Sequence, residues 1–148
     1  FDHAGAAEEL AGLLSVKIYA CEAERETLEN PRYNVSGMVG RADSYRADVY
    51  VQDEEVLSLA GFAIKVLHTP GHTAGGCCYY IPKEDVLFSG DTLFCESVGR
   101  TDFPGGSMGR IVRSIREKLL VLPEHTKVYP GHMEATSIGK EKQWNPYL

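Results

Sequence analysis

Apolar residues along the 148-residue chain switch between helical and strand periods. From Ala4 to Leu14 the run Ala-Gly-Ala-Ala-Glu-Glu-Leu-Ala-Gly-Leu-Leu sets its apolar positions on one stripe, predicting a short amphipathic helix right after His3. Lys17 to Cys21 has strand character, and the charged stretch Glu22 to Glu29 predicts a short solvated helix that stops before Pro31. Asn34 to Ser44 shows no period and is expected to be loop. Three strands follow at Asp48 to Gln52, Val56 to Leu59 and Phe62 to Leu67, with Ala60-Gly61 suited to a hairpin turn between the last two. Cys77 to Ile81 and Val86 to Phe88 form another strand pair around Pro82-Lys83-Glu84-Asp85. Ser107 to Leu120 carries Met108, Ile111, Val112, Ile115 and Leu119 at helical spacing, and Lys127 to Tyr129 is a last short strand. Strands framed by helices predict a layered α/β or α+β domain.

Composition narrows this picture. A chain of 148 residues suffices for one compact domain that buries roughly two thirds of its unfolded surface, so residues 1–148 are taken as a single domain. The net charge of -6 and the absence of a basic stripe argue against nucleic acid as a partner. No apolar run approaches the ~20 residues of a membrane-spanning helix, so neither membrane nor nucleic acid is expected to bind. Cys21, Cys77, Cys78 and Cys95 lack CxxC spacing, and the Cys77-Cys78 pair reads as small hydrophobic residues of a strand. Reduced thiols of that kind suit a cytoplasmic location.

Four candidate metal ligands sit at the junctions between strands or helices and loops. His72 follows the strand ending at Leu67, Asp91 follows Val86 to Phe88, His132 follows Val128-Tyr129, and His3, with Asp2 beside it, precedes the first helix. Strand-end loops on one sheet edge can aim several side chains at one point, and glycines at positions 71, 90 and 131 allow close backbone approach. Imidazoles and carboxylates together suit Zn²⁺, Fe²⁺ or Mn²⁺, and Asp91 could bridge two ions through its two oxygens. His68 is expected to be structural, because Thr69-Pro70 breaks any helical presentation beside His72. His125, in Pro123-Glu124-His125-Thr126, is expected to be solvated.

These motifs resemble the metallo-β-lactamase superfamily. Asp2-His3 looks like the end of its H-x-H-x-D-H signature, Thr69-Pro70-Gly71-His72-Thr73 like its third motif, Gly90-Asp91-Thr92-Leu93-Phe94 like its fourth, and Pro130-Gly131-His132 like its last. Gly99-Arg100-Thr101-Asp102-Phe103-Pro104-Gly105-Gly106 and Asn145-Pro146-Tyr147 are similar to the short glyoxalase II-like hydroxyacylglutathione hydrolases. The resemblance implies a four-layer αββα sandwich missing its first N-terminal strands, so that apolar sheet faces stay uncovered and self-association becomes possible. It implies two divalent metal ions, zinc foremost and iron or manganese as alternatives. Asp2, His3 and His132 would hold one ion, His72 would help hold the other, and Asp91 would bridge them. Two further histidines are expected just before Phe1, so one of the two sites lacks two His ligands here and the activity of this piece should be impaired. The implied reaction is thioester hydrolysis, with S-lactoylglutathione as the type substrate and a bridging hydroxide as nucleophile. Asp2 could accept a proton, Asp91 complete the catalytic pair, and Arg100 contact a substrate carboxylate unless it pairs with Asp102. Two alternatives stand beside it: a mononuclear-iron persulfide dioxygenase, whose family shares a Gly-Arg-Thr-Asp-Phe segment, and an inactive fragment or non-enzymatic binding module.

Overall fold

The computed structural model describes residues 1–148. Helix α1 (Ala7–Leu14) leads into strand β1 (Tyr19–Cys21), a 3₁₀ turn at Glu22–Glu24 and helix α2 (Arg25–Glu29). Strand β2 (Val49–Val51) pairs in parallel with β1 as a separate two-stranded sheet. The expected loop between them contains a 3₁₀ turn at Ser36–Val39. Asn34 organises it, because its side-chain amide donates to the Leu28 and Asp43 carbonyls, both at 2.9 Å.

The main sheet has six strands. Its first four are β3 (Val56–Leu59), β4 (Phe62–His68), β5 (Cys77–Ile81) and β6 (Val86–Gly90), each antiparallel to the one before. A small hairpin of β7 (Leu93–Phe94) and β8 (Ser97–Val98) follows. Helix α3 (Met108–Ser114) then widens into a π turn at Ile115–Leu119. Strand β9 (Lys127–Pro130) lies parallel to β6, and β10 (Thr136–Ser137) caps the edge before helix α4 (Ile138–Trp144). The spatial order is β10-β9-β6-β5-β4-β3, in a mixed α/β arrangement.

Strand periodicity assigns the two faces of this sheet. Leu67, Cys78, Tyr80, Leu87 and Val128 point to one side and join Ile111, Ile115, Leu119 and Ile138 in a buried core. Residues spaced by four drift about 40° per step around a straight α-helix. Widening the turn at Ile115 keeps Ile111, Ile115 and Leu119 on one line, and all three are fully buried. On the other side Val66, Tyr79, Phe88 and Tyr129 form a row of register partners. Phe88 and Tyr129 stack with centroids 5.8 Å apart. They remain 47% and 42% exposed.

The first helix forms, but it starts at Ala7 and not at Ala4, so His3 sits in the turn before it and not at its N-cap. None of its residues is buried, and the stripe carrying Leu10, Leu13 and Leu14 faces solvent. No helix is long and apolar enough to cross a membrane.

Candidate metal centre

Sheet direction brings the site together. Strand β4 is antiparallel to β5, β5 is antiparallel to β6, and β6 is parallel to β9, so β4, β6 and β9 all end at the same edge. His72, Asp91 and His132 follow those three ends. The loops are tied to one another: the Thr69 and Thr92 hydroxyls are 2.9 Å apart, and the Gly131 N–H donates to the Gly90 carbonyl at 2.9 Å. The turn before α1 brings Asp2 and His3 against the same edge.

Five side chains converge there. Asp91 Oδ2 lies 3.2 Å from His3 Nε2 and 3.5 Å from the Nε2 atoms of His72 and His132. His3 Nε2 and His132 Nε2 face each other at 3.1 Å, and Asp2 Oδ2 is 3.4 Å from His132 Nε2 and 3.9 Å from His3 Nε2. Asp2, His3 and His132 each place a ligand atom within 4.8 Å of the other two. Arg100 lies outside this cluster, on its rim.

The donor set fits a divalent cation. Ligand atoms about 2.0–2.1 Å from a tetrahedral zinc stand roughly 3.3 Å apart, the spacing found between these nitrogens and oxygens. Asp91 Oδ1 is buried without any hydrogen-bond partner, a costly arrangement for a carboxylate oxygen unless a cation meets it. Gly131 supplies the space. A Cβ there would lie 2.6 Å from Asp91 Oδ1 and 2.6 Å from His3 Cε1. The His72 ring is oriented from behind, with Nδ1 2.8 Å from the Arg100 carbonyl; that contact requires Nδ1–H to donate and turns Nε2 toward Asp91.

Electrostatics within the cluster follow from the same contacts. The hydrogen bond that its ring N–H donates to Asp91 raises His3 above its ordinary value, against the opposing effect of partial burial. Burial pushes Asp91 upward, but the His3 hydrogen bond and the nearby charges of His3, His72 and His132 outweigh it and hold the carboxyl below its usual range. The cluster therefore favours a charged carboxylate facing imidazoles.

The Metallo-beta-lactamase superfamily model matches residues 1–132. The chain belongs to this superfamily. It is 37% identical over 150 residues to the probable metallo-hydrolase YqgX of Bacillus subtilis, covering 100% of this chain and 71% of that protein. It is also 37% identical over 150 residues to the hydroxyacylglutathione hydrolase GloC of Haemophilus influenzae, covering 99% of this chain and 71% of that one. Among solved structures it resembles the BLEG-1 B3 metallo-beta-lactamase with a TM-score of 0.92 and 42% identity, over 99% of this chain and 72% of that chain. TTHA1623 in a di-iron-bound form is similar at a TM-score of 0.84 and 36% identity, over 100% of this chain and 73% of that one. The superfamily binds divalent metals, and its chemistry is that of metallo-hydrolases.

In this metallo-β-lactamase fold a cavity of about 760 Å³ opens beside the cluster, with Tyr19, Tyr33, Tyr45, Phe94 and Phe103 among its walls. Arg100 grips Asp102 with two 2.7 Å hydrogen bonds and lies 4.2 Å above the Phe103 ring. Phe103 in turn meets His72 edge-on at 5.5 Å. His68 points elsewhere, its Nε2 3.0 Å from the Ala74 carbonyl, and so braces the loop that carries His72. His125 is exposed as expected, and pairs with Asp85 at 3.0 Å. Phe94 and Phe103 escaped the reading of the sequence as site residues. Phe94 closes the Gly90–Phe94 motif and touches the His132 ring edge-on at 6.1 Å, so its place beside Asp91 was the available signal.

Proposed function

We propose that this protein is a metal-dependent hydrolase of thioesters, with S-lactoylglutathione as the type substrate. The observation that carries the reading is the Asp91 carboxylate, whose Oδ2 faces three converging imidazoles while its buried Oδ1 has no partner, beside a cavity large enough for a small molecule. The 37% identity to GloC supports the thioester class.

Asp2, His3 and His132 would hold one divalent ion, zinc by preference, and His72 with Asp91 would serve a second. Bound metal supplies Lewis acidity there and makes water acidic, lowering its pKa from about 15.7 to near 7. Asp2 is 52% exposed at the open side of the cluster and can accept a proton from an attacking water. Asp91 holds the imidazoles in position through its shared oxygen. The Arg100 carbonyl fixes the His72 tautomer, and the guanidinium, once released from Asp102, can reach a substrate carboxylate. A thiolate leaves readily, so no acid is required at sulfur.

Two other activities share the test. The likeness to BLEG-1 favours a β-lactam as rival substrate, and the Gly99–Phe103 segment favours a mononuclear-iron persulfide dioxygenase. Metal-loaded protein should hydrolyse S-lactoylglutathione faster than it opens a β-lactam ring, and Asp91→Asn should lose 10²-fold or more of that rate, on the order of 3 kcal/mol. Oxygen uptake on a persulfide with one bound iron would replace the thioester reading, as would a preference for the β-lactam.

A further inference from the structure

The loop that carries His72, residues 69–76, contains Gly71, Gly75 and Gly76, so its own sequence gives the ligand little rigidity and neighbouring groups must fix it. Its first half is tied to the main sheet and to α3. The Thr69 N–H donates to the Gly76 carbonyl, the Ser107 N–H to the Gly71 carbonyl and the Ser114 hydroxyl to the Pro70 carbonyl, each at 2.8 Å. The second half is met from the opposite side, by the turn that follows β1.

There the Thr73 hydroxyl donates to Glu24 Oε2 at 2.7 Å. Gly75 runs so close to the same Glu22–Glu24 turn that a Cβ on it would collide with the Glu24 nitrogen and the Ala23 carbonyl carbon. A hydrogen bond to a carboxylate, backed by direct backbone packing, makes a stiff strut between this turn and the residue next to His72. Because the turn follows β1, the strut joins the small β1–β2 sheet to the metal centre, and Glu24 and Thr73 both line the cavity between them.

We propose that Glu24 is a positioning residue of the metal centre: through the Thr73 hydroxyl it sets the backbone that aims His72 at Asp91 and at the ion they would share. The inference rests on the reading of the five-residue cluster as a metal centre. Two contacts then define the imidazole. The Arg100 carbonyl, 2.8 Å from Nδ1, fixes the rotation of the ring, and Glu24 fixes the main chain that the ring hangs from. His72 Nε2 is 3.5 Å from Asp91 Oδ2, and a displacement of roughly 1 Å is enough to spoil joint coordination.

Heteronuclear NMR of the chain labelled at its histidine ring nitrogens, with and without Zn²⁺, resolves each imidazole and tests this. In metal-free wild type His72 should show the Nδ1–H tautomer alone, and added Zn²⁺ should shift its Nε2 signal. Thr73→Val removes the hydroxyl at nearly constant volume. It should leave His72 as a mixture of tautomers and raise the zinc concentration needed there by about tenfold, while His3 and His132 respond as in wild type. Glu24→Ala should do the same, and Thr73→Ser, which keeps the hydroxyl, should restore wild-type behaviour. A merely structural bond would instead lower the melting temperature and weaken all three imidazoles alike. That outcome, an unchanged His72 in Thr73→Val and Glu24→Ala, or a Thr73→Ser variant that behaves like Thr73→Val, would overturn the proposal. Zinc that shifts no histidine of wild type would remove the metal-centre reading, and the metal-free tautomers would still decide whether Glu24 orients His72. Gly75→Ala, which forces turn and loop apart, gives a second route to the displaced imidazole where Thr73→Val or Glu24→Ala fails to fold.

Discussion

At the scale of single residues, Asp91 organises everything near it. One of its oxygens is shared by His3, His72 and His132, and the other is buried without a partner. Protons and a cation compete for the same atoms, so pH should act in opposite senses on the metal-free and metal-loaded protein. His3 is raised above 6.5, so its contribution to stability is complete below that value and is lost as pH rises through the folded value. Asp91 is lowered below 3.8, so its contribution is complete above that value and is lost as pH falls through its folded value. The metal-free protein should therefore gain thermal stability between pH 8 and about 6.5, whereas the stabilisation by added zinc should shrink over the same interval as His3 takes up its proton. Melting curves with a chelator and with zinc, across that range, check both signs. Asp2, His3, His72, Asp91 and His132 were legible in the sequence because each sits at a chain junction, three of them beside a glycine. Phe103 was not, since only the folded loop shows that its ring lies between His72 and Arg100.

At the scale of elements, strands with clear boundaries matched the sequence period closely. Val56–Leu59 and Cys77–Ile81 have the ends expected, and β4 and β6 run one and two residues further. The hairpin at Ala60-Gly61 forms with φ of 50° and 84°, the left-handed pair that matches strand twist in two-residue turns. Ala60 has a Cβ in a conformation that penalises one, so Ala60→Asn should stabilise the protein by roughly 0.5–1 kcal/mol in urea unfolding. Helix α4 escaped the sequence reading because it is not held by an apolar stripe. Only Ile138 and Glu141 are buried on it. The Glu141 carboxylate accepts from the Glu96 N–H at 2.8 Å, the Thr136 hydroxyl at 2.5 Å and the Asn145 amide at 2.8 Å, a polar anchor with no periodic signature. Strands β7, β8 and β10 have two residues each, too few for a period to show.

At the scale of the whole molecule, one sheet face is packed by helices and the other presents Phe88 and Tyr129 to solvent, and the α1 leucines are exposed as well. Apolar surface of this kind promotes association. Sedimentation velocity should show concentration-dependent self-association, reduced when Phe88 and Tyr129 are both changed to Lys; a strictly monomeric chain at all concentrations would remove that expectation. The charged cluster lies at the strand ends, away from this face, so the same double variant should leave metal uptake intact. Calorimetric titration of Zn²⁺ into the metal-free protein addresses the central claim most directly. Wild type should bind with release of protons, and Asp91→Asn should weaken binding by at least tenfold, about 1.4 kcal/mol, while the fold seen by circular dichroism is kept. Zinc that fails to bind, or that binds Asp91→Asn as tightly as wild type, would contradict the account.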